Sequence, residues 1–149
     1  MGMRYAPVFF LLGILSLIAP VQAQVFTRDM QVEPLIASAG DPVRGRVIVA
    51  SRQTGLCLLC HSGPFPEERF QGNLAPDLAM SAAKLTAGQL RARIVDPSRF
   101  DPKTIMPAYY KTENLKRVAP KFAGQTILSA QEIEDVVAFL VSLNQQNVQ

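Results

Sequence analysis

GLCLLCHSG, residues 55–63, contains both cysteines and the only histidine of the 149-residue chain. Cys57, Cys60 and His61 form the pattern C-x-x-C-H, which is the signature of covalent haem attachment. Two intervening residues let both sulfurs reach the same edge of a planar macrocycle, and the adjacent histidine can bind the iron from one face. The motif predicts one haem c, attached through Cys57 and Cys60, with His61 as an axial ligand.

Three other uses of these residues stay open at this point. A structural zinc site normally has four ligands, whereas the chain contains no further Cys or His. A thioredoxin-type redox dithiol needs a βαβ context, which the sequence does not show. The fourth possibility is an ordinary disulfide beside an unrelated histidine. The concentration of all three residues in one motif favours haem over these alternatives.

A second axial ligand must come from another segment. The chain beyond its N-terminal apolar stretch offers Met30, Met80 and Met106, and an open position is the further alternative. Methionine commonly accompanies histidine in cytochromes c and raises the reduction potential. Met106 lies in the Pro-rich segment DPKTIMPAYY directly before Pro107, where proline favours an extended backbone. We therefore expect Met106 to bind the iron, together with His61.

The turn GNLAPDL, residues 72–78, can orient His61. A histidine that binds a metal usually donates its other ring N–H to an acceptor, which fixes the tautomer and the ring orientation. Pro76 has no N–H, but its carbonyl oxygen is a free acceptor. We expect Pro76 to contribute to the cofactor site in this way; the alternative is that it only shapes a turn.

The N-terminus has the three-part pattern of a secretory signal peptide. Arg4 precedes an apolar run at residues 8–18, and a small-residue exit ends at Ala23. The run is too short for a membrane anchor, so we expect cleavage after Ala23, export to the periplasm and no stable membrane insertion. The expected domains are the signal peptide, residues 1–23, an N-terminal arm, residues 24–40, and one compact domain, residues 41–149.

The charge of the chain excludes one class of partner. Loss of Arg4 lowers the net charge from +3 to +2, and the chain contains no run of Lys and Arg. A nucleic-acid partner is therefore not expected.

Three helices are predicted, with little or no sheet. The first begins at Asp41-Pro42, an N-cap followed by proline at N1, and is expected to stop near Gly55. Gly45 lies within it; either the helix tolerates a glycine there that has no special role, or another helix approaches closely at that position. The second spans residues 86–95, and the last begins with a Ser129–Glu132 capping box before an apolar stripe. Long Pro-rich loops separate them, so a cofactor can fill the centre.

The motifs, in order, resemble those of class I cytochromes c: CxxCH, N-x-x-P-x-L, IVDP, IMPAYY and the final helix LSAQEIEDVVAFLVSL. Together with PEERFQGN, RARIVDP and VAP they are more closely similar to the SoxX family, monohaem subunits of the sulfur-oxidising SoxAX cytochromes. The resemblance runs from about Gly40 to Leu143. It implies an all-α, class I cytochrome c-like fold, with thioether links at Cys57 and Cys60 and axial ligands His61 and Met106.

The resemblance also implies a haem-bearing SoxA partner and a role in thiosulfate oxidation. In that complex thiosulfate is oxidatively joined to a cysteine of the carrier SoxY, an L-cysteine S-thiosulfotransferase reaction, and electrons leave through the haems towards an acceptor such as another cytochrome c. SoxX is implied to be the non-catalytic electron-accepting subunit. The alternatives are a freely diffusing cytochrome c that serves a terminal oxidase, and a five-coordinate haem acting as a peroxidase or gas binder.

Two departures qualify the resemblance. Ala75 stands where the family usually has glycine, and Leu56 and Leu59 make the attachment segment more apolar than GNCLACH. Basic residues lie near the expected ligand loop and can steer partners, neutralise haem propionates or simply form a solvated face: Lys103, Lys111, Lys116 and Arg117.

Overall fold

The computed structural model describes residues 32–116 and 118–146. Four helices lie within them: α1 (Pro42–Ala50), α2 (Leu78–Ala82), α3 (Ala87–Val95) and α4 (Ala130–Gln146), with short 3₁₀ turns at Cys57–Leu59, Pro97–Arg99 and Pro120–Phe122. These residues form no strand beyond an isolated bridge at Val32, which confirms the all-α prediction. The expected signal peptide, residues 24–31 of the arm, and Arg117 lie outside the described residues.

Helix α1 begins where the sequence predicts and ends earlier. The Asp41 carboxylate accepts hydrogen bonds from the N–H groups of Val43 (2.8 Å) and Arg44 (3.3 Å). The expected end near Gly55 is wrong, because the helix stops at Ala50. The hydroxyl oxygen of Ser51 accepts from the N–H groups of Gln53 and Thr54, so this short polar side chain stabilises a turn in place of a further helical turn.

The capping boxes of α3 and α4 are confirmed. Thr86 Oγ1 accepts from Gln89 N (3.3 Å) while Gln89 Oε1 accepts from Thr86 N (3.0 Å). At α4, Glu132 Oε2 accepts from Ser129 N (2.7 Å) and Ser129 Oγ accepts from Glu132 N (3.3 Å). Both caps satisfy N–H groups that have no partner within the helix.

Helix α2 was not predicted. It has only five residues, which is too short to show a helical apolar period. Asp77 caps it by accepting hydrogen bonds from Ala79 N and Met80 N. Leu78 and Ala82 are buried, so α2 is fixed by packing against α4.

Helix α4 is the central element, and α1 packs against it through glycine. A Cβ at Gly45 would overlap the backbone carbonyl of Asp135, and one at Gly40 would overlap that of Glu134. Close helix approach is therefore the correct explanation of Gly45. The opposite apolar face of α4 supplies much of the core: Ile133, Val136, Val137, Leu140 and Leu143.

Acidic residues of α4 fasten the N-terminal part of the fold. The carboxylate of Asp135 accepts from Arg44 Nε (2.7 Å), from Arg44 Nη2 (2.9 Å) and from Asp41 N (2.8 Å). The hydrogen bond from Arg44 lowers the pKa of Asp135, so this carboxylate stays ionised at neutral pH and binds both the cap and the first turn of α1.

A second, buried ion pair holds the described part of the arm. Arg91 donates to Glu134 through Nε (2.8 Å) and Nη2 (2.7 Å), and through Nη1 to the carbonyl of Val32 (2.7 Å). Glu134 also accepts from Leu35 N (2.9 Å). Residues 32–35 are thus attached to α3 and α4, because both charges need these backbone partners in a buried position.

Replacement of Gly45 by Ala tests the helix contact. We expect the free energy of unfolding to fall by about 1–3 kcal/mol, because the added methyl group meets rigid backbone. Chemical denaturation measures the change. Val47→Ala in the same helix is the control; Val47 is 65% exposed, so its effect should stay within about 0.5 kcal/mol. Equal effects of the two substitutions would contradict the close approach.

Candidate functional site

The CxxCH segment forms a compact turn. Leu56 enters it with a left-handed backbone (φ 61°), and the carbonyl of Cys57 accepts hydrogen bonds from Cys60 N (3.1 Å) and His61 N (2.9 Å). Leu58 is buried in the core, whereas Cys57 and Cys60 are half-buried. The turn therefore places Leu58 in the core and leaves the thiols of Cys57 and Cys60 at the edge of the core.

His61 is held in one tautomer. Its Nδ1 lies 2.6 Å from the carbonyl oxygen of Pro76, the acceptor that the sequence suggested. An oxygen acceptor requires the hydrogen on Nδ1, which leaves the Nε2 lone pair free to bind a metal.

The segment that carries Pro76 is fastened to the motif by backbone hydrogen bonds. Gly72 N donates to Leu58 O (2.9 Å), Ala75 N to Cys60 O (3.0 Å) and Leu78 N to Ser62 O (2.8 Å). A Cβ at Gly72 would collide with the backbone of Cys60, so glycine is needed there. Ala75 is not among the described residues with a positive φ, and alanine in place of the family's glycine brings no backbone strain.

Two side chains of this region were missed by the sequence analysis. Gln71 accepts from Gly63 N (2.7 Å) and donates to Phe65 O (2.8 Å). Asp77 accepts from the hydroxyl of Ser62 (2.9 Å). Both side chains connect the segment after the motif to the Pro76 turn. Their polar residue types were only a weak sign of this role, because the path of the loop determines which groups they can hydrogen-bond.

Met106 lies in a non-helical segment on another part of the chain. It is half-buried, it packs against the core, and its N–H donates to Thr104 Oγ1 (3.2 Å). The segment is attached to the end of α3, because Tyr109 N donates to Ile94 O (3.0 Å). Tyr109 then reaches back to the motif, and its hydroxyl donates to Gly55 O (2.5 Å).

Two apolar cavities, of about 250 Å³ and about 440 Å³, share one wall. The residues that line both are His61, Leu78, Ile94, Met106 and Leu140. Cys57 and Cys60 line only the smaller cavity, and Pro76 lines only the larger one. The fold therefore brings the residues singled out from the sequence together around two apolar cavities that share a wall.

The other methionines occupy different positions. Met80 lines the larger cavity but is 62% exposed on α2, close in sequence to Pro76. Met30 lies outside the described residues. Of the two described methionines, Met106 is the one that also lines the cavity containing the cysteines.

The alternatives for the motif receive no support. Burial raises the pKa of the Cys57 thiol to about 11, whereas a redox dithiol needs a lowered pKa. Cys57 and Cys60 are both free, so they form no disulfide. Within residues 32–116 and 118–146, no three His, Cys, Asp or Glu side chains are grouped so as to hold a metal ion.

Comparison with solved structures identifies the family. The chain is similar to the crystal structure of SoxXA from P. pantotrophus, with 35% sequence identity, a TM-score of 0.72, and coverage of 81% of this chain and 94% of the matched chain. This chain belongs to the SoxX family. The match also confirms the cytochrome c-like all-α fold expected from the sequence. No protein-family model and no curated protein matches the chain.

The SoxX-family chain carries no helix, within the described ranges, that is both long and apolar enough to span a membrane.

Tyr109→Phe tests the link between the two halves of the site. We expect the free energy of unfolding to fall by about 1–3 kcal/mol, because the buried carbonyl of Gly55 loses its hydroxyl donor and keeps only the weaker donor Cys57 Sγ at 3.3 Å. Tyr110→Phe is the matched control, since the Tyr110 hydroxyl has no hydrogen-bond partner among the residues that the structure describes. Thermal unfolding of both variants gives the comparison, and equal stability would contradict the link.

Proposed function

We propose that this chain is a periplasmic monohaem c-type cytochrome, the electron-transfer subunit of a SoxAX complex that oxidatively conjugates thiosulfate to a carrier-protein cysteine. The observation that carries the proposal is the shared lining of the two cavities by His61 and Met106, with Cys57 and Cys60 along one of them. Similarity to SoxXA supports the assignment to this complex.

The residues present fit haem c. The cavity lining is predominantly apolar, as a macrocycle requires, and two thiols at its wall can form thioether links. His61 and Met106 supply one nitrogen and one sulfur ligand, the pair found in electron-transferring cytochromes c. Haem bound in this way supplies one-electron transfer.

Each of these residues has a defined task. His61 is oriented by the carbonyl of Pro76 so that Nε2 can bind iron. Met106 is presented by a segment fixed to α3 through Tyr109. If His61 and Met106 both bind the iron, no coordination position would remain for a substrate, which favours electron relay over catalysis.

Sulfur conjugation is assigned to the partner. The chain has two cysteines, and both are used for attachment in this proposal, so no thiol remains for sulfur chemistry. A haem-bearing SoxA subunit would carry that step, and the electrons would pass on to an acceptor such as another cytochrome c. Export through the N-terminal segment, residues 1–23, would place the complex in the periplasm.

Co-purification separates this proposal from the freely diffusing cytochrome. A stable heterodimer with a second haem protein is expected when the full chain is produced with a SoxA-like protein, purified under mild conditions and analysed by size and haem content. A monomer that passes electrons to an oxidase without that partner would favour the alternative and contradict the subunit role.

Met106→Ala tests the axial ligand. The wild type should show a low-spin spectrum when reduced and bind carbon monoxide slowly. The variant should bind carbon monoxide rapidly and have a lower reduction potential, because the thioether that raises it is lost. Met80→Ala is the control and should behave as wild type. An unchanged spectrum in Met106→Ala, or loss of the low-spin spectrum in Met80→Ala, would contradict the assignment.

A further inference from the structure

The two cavities that share a wall differ in charge. The smaller one, lined by Cys57 and Cys60, has no Lys or Arg among the described residues of its lining, whereas the larger one is lined by Lys84 and Arg93. His61 and Met106 belong to the wall that both cavities share. The two thiols and the two cations therefore line different cavities, which have the two proposed iron ligands in common.

Lys84 and Arg93 are not neutralised within the part of the chain that the structure describes. Neither forms an ion pair there, whereas Arg44 pairs with Asp135, Arg91 with Glu134 and Lys111 with Asp96. Arg93 is half-buried, donates to Gln89 O (3.3 Å) and lies over the ring of Phe100 at 4.3 Å. Lys84 is exposed and lines the same cavity. A half-buried guanidinium such as that of Arg93, lining an apolar cavity without a carboxylate partner, favours an anionic group beside it.

We propose that Lys84 and Arg93 bind the two propionates of the haem. This inference rests on the proposed function. Haem carries its vinyl groups on one side of the macrocycle and its propionates on the opposite side. If the thiols in the smaller cavity hold the vinyl side, the propionates would extend towards the larger cavity, where Lys84 and Arg93 would each be able to bind one carboxylate.

The lysines of the ligand loop are less suited to this task. Neither Lys103 nor Lys111 lines either cavity, and Lys111 Nζ lies 3.1 Å from Asp96 Oδ2. We therefore assign the neutralisation of the propionates to Arg93 on α3 and Lys84 just beyond α2, in place of Lys103 and Lys111. That pair could not be selected from the sequence, because nothing in a lone Lys or Arg shows that it faces a cavity.

The pair has a consequence for the reduction potential. The ferric iron carries one more positive charge than the ferrous iron, so an unbalanced propionate favours the ferric state and a neighbouring cation opposes this effect. Loss of either cation should increase the ferric-to-ferrous ratio at a fixed ambient potential. We expect about a threefold increase for one cation and up to about tenfold for both, which corresponds to a fall of about 59 mV.

The experiment is redox titration of the matured full-length protein carrying Lys84→Gln, Arg93→Gln or both. Lys103→Gln is the control, because it removes the same charge from an exposed position outside the cavities. Arg93→Lys keeps the charge but alters the contact with Phe100, and should restore most of the wild-type potential. A purely structural role of Arg93 would leave Arg93→Lys as low as Arg93→Gln.

The outcomes separate this inference from the proposed function. Absence of covalent haem in the wild type would overturn the proposed function and the inference together. Covalent haem with a low-spin spectrum, but with Lys84→Gln and Arg93→Gln shifting the potential no more than Lys103→Gln, would overturn the inference alone. A larger shift in both cavity variants, with partial recovery in Arg93→Lys, supports it.

Discussion

The contact between α1 and α4 is the constraint on which the remaining structure depends. Backbone approaches backbone at Gly40 and Gly45, and the distance is so small that charged groups can also bridge the two helices. Asp135 and Glu134, adjacent on α4, then bind the cap of α1, its first turn and the end of the arm. The same helix presents Leu140 to both cavities, so its position also sets one wall of the site.

The site itself is made by loops, and hydrogen bonds give these loops the rigidity that helices would otherwise provide. One set joins residues 72–78 to the CxxCH turn, and another joins the Met106 segment to the end of α3. The Tyr109 hydroxyl connects the two sets at Gly55. The side chains that would bind a ligand are thus held in place by loop residues that are themselves fixed by hydrogen bonds.

Local signals in the sequence were sufficient for much of this arrangement. The capping residues Asp41, Thr86 and Ser129 each predict the start of a helix to within a few residues. The spacing of CxxCH alone predicts haem attachment. The predicted end of α1 was wrong because Ser51 competes for backbone N–H groups. Helix α2 was missed because a single helical turn is too short to show a repeating apolar pattern. The roles of Met106 and Pro76 as cofactor contacts stay predictions.

Other features depend on contacts between distant segments, which no local pattern records. The sequence allowed two explanations of Gly45, and only the position of Asp135 decides between them. The same is true of three residues of common type. Tyr109 matters because its hydroxyl contacts the Gly55 carbonyl, and Lys84 and Arg93 matter because they line the same cavity. Recognition of the family supplied the fold, but not these pairings.

The separation of α1 and α4 along the chain has a consequence for folding. The bond from Asp41 to Asp135 spans 94 residues, and closing so long a loop costs more conformational entropy than forming a local contact. A chain synthesised from its N-terminus cannot complete the core until α4 is available. The CxxCH segment precedes α4 in the chain, so in the nascent polypeptide it is not yet covered by the helix that later forms one wall of its cavity.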